Sequence, residues 1–303
     1  MSYFDLLYTR EYFDMFLKHF NSEYSKQSAS APNAAITIPQ GITQEQWMRF
    51  IKYQTRKAKR SGEERESHYS NLIKRYYMIG QGTPGRPSIT SDHVAALISD
   101  QTHIKDVYES LRKEFRMGMR GLRLFPLEMF SDSIQAHKQV LVRLTGYRME
   151  SIAPGAIPQE LLDDLKLLFC RLKVVPPKAK PGETPEEGPK LVAVSKILHF
   201  LLPDLVMPVD RAKVLRFLGK KGDVPSDQEK QFTWFKEVFT KYIELAAQLG
   251  LTSNNGDSNW WNISVPKRID NAIIGFWDIF NDANLERIIC GNIEMLLKYL
   301  NIP

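Results

Sequence analysis

Between Asp227 and Leu249, seven apolar residues recur at helical intervals: Phe232, Phe235, Phe239, Tyr242, Leu245, Ala246 and Leu249. A stripe that wide on one side of a helix has to be covered by a core, so this helix is read as buried along one face. The same period returns through most of the chain. It predicts helices over Ser2–Phe20, through Ile104, Val107, Tyr108 and Leu111, over Asp132–Leu144, and after Pro158 through Leu161, Leu162, Leu165, Leu168 and Phe169. Further helices are predicted over Leu191–Leu202, Asp210–Leu218, Lys267–Phe280 and Asn284–Leu300. Two-residue alternation is scarce, with Ala35–Ile38 its best instance, and no repeat is visible, which argues against a solenoid. The expected fold class is all-α. With 303 residues and 43% hydrophobic composition, the chain can bury one large core or two ordinary ones.

Punctuation divides this helical chain. Ser25–Gly41 is rich in Ser, Ala and Pro and reads as a linker. Thr43 and Gln46 fit a capping box for a helix through Trp47, Phe50 and Ile51. A helix over Glu64–Met78 stops at Gly80–Pro87, which no helix crosses, and Thr90, Ser91 and Asp92 offer caps for one beginning near His93. The expected division is an N-terminal helical basic region with linker, 1–87, and a C-terminal helical domain, 88–303. Inside the latter, Val175–Pro189 is the most loop-like stretch.

Several classes are disfavoured. No apolar run approaches the ~20 residues that cross a bilayer, and the mean hydropathy is −0.33. Asp5, Arg10, Glu11 and Asp14 interrupt the first segment, which makes it an amphipathic helix rather than a signal peptide. Cys170 and Cys290 lie on apolar helical stretches and are read as buried structural thiols, so the sequon at Asn262 carries no weight. A cytoplasmic protein is expected. GxxxxGK[ST], GxSxG and HExxH are absent, and the six histidines lack ligand spacing, so neither cofactor nor metal is expected. Gly80, Gly82 and Gly85 follow no apolar strand, and Pro84-Gly85-Arg86-Pro87 lacks the basic flanks of a minor-groove hook.

Charge is unevenly spread. The formal net charge is +6, and Gln46–Ser88 alone carries ten Lys or Arg against Glu63, Glu64 and Glu66. The excess is one patch, which fits a polyanion such as DNA. Arg56, Lys57, Lys59 and Arg60 follow Tyr53, and Lys74 and Arg75 precede Tyr76 and Tyr77. Cations interleaved with aromatic rings suit phosphate contacts combined with base stacking. A solvated helix face, or a surface for an acidic protein partner, accounts for the same residues.

The segment 188–214, GPKLVAVSKILHFLLPDLVMPVDRAKV, carries the most specific pattern. Gly188-Pro189-Lys190 opens a helix, and a short loop leads to Pro208-Val209-Asp210 at the start of the next, twenty positions after Lys190. This segment resembles the centre of the helix-hairpin-helix DNA glycosylase superfamily. In that family a glycine-rich hairpin starts a helix, the Asp of Pro-Val-Asp is the catalytic carboxylate, and bifunctional members place a Lys near the start of the first helix. The resemblance covers about 27 residues. Glu186 and Glu187 stand where the first hairpin glycine would be, and Arg211, Ala212 and Lys213 follow the Asp where a His is usual.

The resemblance implies a DNA-binding protein that excises a modified or damaged base. Asp210 would stabilise the cationic sugar, and Lys190, or Lys196 as second choice, would attack it as an amine whose pKa burial has lowered. Gly188 and Arg211 would meet the DNA backbone, and Trp260 and Trp261 would stack on the flipped base. The residues themselves admit plainer roles. Asp210 after a proline is a natural N-cap, paired tryptophans belong in helical cores, and Lys196 and His199 share a face opposite Val194, Ile197, Leu198 and Leu201. A non-catalytic nucleic-acid-binding module of the same fold, or a protein-interaction scaffold, therefore stays open beside the enzyme.

Overall fold

The computed structural model describes residues 7–28, 95, 98–109, 112, 124–176, 190–220, 222–253, 262 and 264–279. Among these the chain is helical and contains no strand. The helices are α1 (Arg10–Ser28), α2 (Gln101–Glu109), α3 (Leu127–Ala136), α4 (Lys138–Leu144), α5 (Gln159–Arg171), α6 (Leu191–Leu201), α7 (Gln228–Gln248) and α8 (Val265–Ile279). A 3-10 turn covers Met149–Ser151 and a π-turn covers Arg211–Leu215. No helix among the described residues is long and apolar enough to cross a membrane. The strand at Ala35–Ile38, the helices near 43–51, 64–78, 93 and 284–300, the break at Gly80–Pro87 and Cys290 lie outside the described residues, as does most of Val175–Pro189. Helix α1 runs to Ser28, four residues into the stretch read as linker.

The described residues fall into two compact units, 7–12 with 95–270 and 13–28 with 271–279. In the first, α5, α6 and α7 pack on one another, α4 lies on α5, α3 on α2 and α4, and the 3-10 turn on α7. The stripe on α7 enters this core: Phe169 of α5 meets Phe232 edge-on at 5.6 Å and Phe235 at 5.8 Å. Helix α6 is enclosed on nearly every side; of its eleven residues only Val192 is not buried. In the second unit α1 and α8 approach closely. Phe16 of α1 packs edge-on against Phe276 of α8 at 5.3 Å. A Cβ on Gly275 would run into the Phe16 carbonyl, 2.9 Å from its carbon, so the two backbones touch because position 275 has no side chain.

One predicted helix is two. Where a single helix over Asp132–Leu144 is expected, the chain bends at His137 between α3 and α4. His137 Nδ1 bonds the Ser133 carbonyl at 2.8 Å, the acceptor that its own backbone N–H would use in a straight helix. That N–H turns to Ile134 O at 3.1 Å instead, and a side chain entering the ladder in this way bends a helix.

Candidate functional site

The loop 202–209 returns the chain from the end of α6 to Asp210, and two side chains of α6 hold it. Ser195 Oγ accepts the Val209 N–H at 3.0 Å while donating to Val192 O at 3.1 Å. His199, one turn further on, donates from Nδ1 to the Val206 carbonyl at 2.7 Å. Its acceptor is a carbonyl, so the proton sits on Nδ1. Burial, reinforced by the nearby Lys267 ammonium, pushes His199 down to about 3 although the Val206 bond opposes it, and the ring is neutral at ordinary pH. Ser195 and His199 thus fix the loop that carries Asp210.

Asp210 begins the next helix with extended backbone, φ −117° and ψ 137°. Its Oδ1 accepts the N–H groups of Ala212 at 2.8 Å and Lys213 at 3.1 Å, so the capping role is filled. The Asp210 carbonyl accepts the Leu215 N–H at 3.0 Å, five residues on, which is the π bond of this turn. The other carboxylate oxygen faces α6: Oδ2 is 3.9 Å from Lys196 Nζ. One partner of this pair is open to solvent and the other is not, the side chains being 42% and 7% exposed. The sequence pattern puts Lys196 on a face away from the apolar stripe, and so it is, but α6 is covered there too.

A second ion pair adds to the field. On α8, Lys267 Nζ meets Asp270 Oδ2 at 2.5 Å, both side chains nearly buried. Lys196 drops from its usual 10.5 to about 8, chiefly through burial. Asp210 and Asp270 pull it back up, and Lys267 and Lys213 press it down. The result is an enclosed amine that is partly neutral near pH 8, with a carboxylate at its solvent side.

Lys190 has a different setting. It stands at the N-cap position of α6 with its side chain buried, and its Nζ donates to Cys170 O at 2.8 Å, in the last turn of α5. A cation there complements the carbonyl end of that helix. The Lys190 and Leu191 N–H groups both donate to Gln231 Oε1 of α7, at 2.8 and 2.9 Å, so two free amides of α6 are satisfied from within the protein. Arg211 is exposed and pairs with Asp223 at 2.6 Å. The structure therefore brings together Asp210 and Lys196, and places Lys190 at the C-terminal end of α5. Arg56, Lys57, Lys59, Arg60, Lys74, Arg75, Gly188, Trp260 and Trp261 lie outside the described residues.

Sequence reasoning missed Ser195, Gln231, Lys267 and Asp270. The i,i+3 spacing of Lys267 and Asp270 was a usable signal; Gln231 is forty positions from Leu191, beyond any local pattern. Among the described residues no cluster of three His, Cys, Asp or Glu could hold a metal ion. A small, open surface pocket is bordered by Tyr147, Arg148, Pro203 and Asp204, and neither Lys196 nor Asp210 lines it. Cys170, on α5, is half-buried. Comparisons with protein-family models, with curated proteins and with solved structures each return no match.

Proposed function

We propose that the chain binds DNA and excises a modified or damaged base from it, as a protein of helix-hairpin-helix glycosylase type. The observation that carries this reading is the pairing of Lys196 with Asp210 at 3.9 Å, an enclosed amine of lowered pKa facing a solvent-accessible carboxylate. Such an amine is a nucleophile at pH values where a surface lysine is fully protonated. In the step proposed, the Lys196 nitrogen lone pair attacks the anomeric carbon of the sugar, and the bond from that carbon to the base breaks. The base leaves with the bonding electrons and takes up a proton, while the attacking nitrogen loses one. Asp210 offsets the positive charge that grows on the sugar. With Lys190 engaged at the end of α5, the geometry favours Lys196 for the amine. The basic segment Gln46–Ser88 supports a polyanionic partner.

A second reading has its own observation. Asp210 Oδ1 already satisfies two helix amides, which is what a non-catalytic nucleic-acid-binding module would retain. Incubation with duplexes carrying a range of modified bases separates the two readings, with free base and abasic sites as the readout. Base release, a borohydride-trapped protein–DNA adduct, and a rate that climbs with pH to a plateau above about 8 are expected of the enzyme. DNA binding with no base released from any substrate would leave the binding module.

A further inference from the structure

The residues that follow Asp210 are sorted by side. Val214, Leu215 and Phe217 are buried, whereas Arg211 and Arg216 are exposed and Lys213 and Lys220 half-exposed. Across 210–222 the chain holds Arg211, Lys213, Arg216, Lys220 and Lys221, with Asp210 as its sole acid. Lys213 and Arg216, three apart, are neighbours on one helical face. A helix-ending motif fixes the next cation: Gly219, at φ +77°, donates to Arg216 O at 2.9 Å, and Lys220 N–H donates to Leu215 O at 2.9 Å. Lys220 Nζ then lies 5.4 Å from the ring centre of the half-exposed Trp234.

Two acids that pair with this strip are themselves open to solvent. Asp223, paired with Arg211, is 85% exposed, and Glu237, paired with Lys220 at 2.7 Å, is 46% exposed. Ion pairs this open contribute little and exchange readily for a stronger anion.

We infer that Arg211, Lys213, Arg216 and Lys220 form a phosphate track that seats the DNA backbone beside Asp210. This inference rests on the DNA reading above. Charge complementarity identifies the occupant. A carboxylate placed against a sugar repels the phosphates on either side of that sugar, so a strand docks at Asp210 only where cations adjoin it. The strip supplies them within the same short segment, and Trp234 gives its edge an aromatic surface of the kind that accompanies a backbone groove.

The test is fluorescence anisotropy of a short labelled duplex over a salt series of about 50 to 200 mM. Each phosphate contact contributes about 0.9 to the slope of log K against log salt. Replacing Arg211, Lys213, Arg216 and Lys220 together by Ala is expected to reduce that slope by about 3 to 4 and weaken binding at least ~10-fold. Removing the competing acids, by Asp223→Asn with Glu237→Gln, is expected to tighten binding several-fold and needs no change to the strip. Binding by the unmodified chain with the same slope in the four-alanine variant overturns the track and leaves the DNA reading standing. Absence of binding by the unmodified chain overturns both. Should the four-alanine variant fail to fold, an unchanged affinity in the Asp223→Asn, Glu237→Gln variant overturns the track.

Discussion

Replacing Lys196 by Met tests whether the amine is held where the site needs it. Lys196 falls from 10.5 in an unfolded chain to about 8 in the fold. At about 1.4 kcal/mol per pH unit, that difference corresponds to about 3 kcal/mol. Below pH 8 both states carry the proton, and the fold bears the full cost of enclosing a charge. As pH rises from about 8 to 10.5, the unfolded chain holds a proton that the folded chain has released, so the fold gains stability across that window. Above it the cost is gone. Met nearly matches Lys in shape and brings no charge, and its substitution strands no acid: Asp210 keeps two amides and solvent, and Asp270 keeps Lys267. The variant is therefore expected to equal or exceed the parent in stability at pH 7. Its advantage should shrink by about 3 kcal/mol between pH 8 and 10.5. Urea titrations of both proteins at pH 7, 8, 9 and 10, followed by circular dichroism, measure this, and titrations elsewhere in the chain cancel in the difference. Parallel stability profiles within ~0.5 kcal/mol, the usual range of a surface substitution, would refute the reasoning and return Lys196 to an ordinary protonated state.

Three further outcomes follow from other contacts. Asp210→Asn keeps a capping side chain and is expected to change stability by well under ~1 kcal/mol, while base release falls by about 10²–10³; an unchanged rate would leave Asp210 as a cap alone. Ser195→Ala strands the buried Val209 N–H at a cost of about 1–3 kcal/mol, and it should also lower the yield of trapped adduct at equal folded concentration. A fully stable variant would show that the loop before Asp210 is held by other means. Gly275→Ala drives a methyl group into the Phe16 carbonyl and is expected to cost about 1–3 kcal/mol or more by thermal melting. A loss below ~0.5 kcal/mol would mean that α1 and α8 separate there with ease.

The helices were legible where one face is apolar and the other is not. Phe232, Phe235 and Phe239 announced α7, and Ile104 and Val107 announced α2, because burial there follows the period of the sequence. Helix α6 was legible in extent but not in setting, since periodicity describes one helix and its enclosure depends on what α5 and α7 bring to it. Lys196 was therefore visible as a candidate without the burial that gives it a lowered pKa. The bend at His137 was hidden because it depends on a ring reaching back to a carbonyl that any residue would present. Asp210 was readable both as a cap and as a carboxylate for a cationic sugar; the cap is formed by Oδ1, and Oδ2 stands 3.9 Å from Lys196 Nζ. Lys190 stood near the start of a helix, where the resemblance implies an amine, but its partner, the Cys170 carbonyl, lies on another helix and left no local mark.

Gln231 has one more consequence. Helix starts are the usual place for a protein to receive an anion without spending a side chain, because their amides are fixed and already point outward. Here the start of α6 is closed by Gln231, and the start of the segment after Asp210 is closed by the aspartate itself. Two pairs of stationary donors that a phosphate would otherwise use are thereby committed to folding. If the unit binds DNA as proposed, recognition beside Asp210 falls to long, solvated cations, which hold a backbone by charge rather than by angle. Such a surface tolerates a sliding strand and exchange of Lys for Arg, and it weakens steeply with salt. On the same proposal, registration of one particular nucleotide would come from the enclosed end of the site, where Lys196 and Asp210 do not slide.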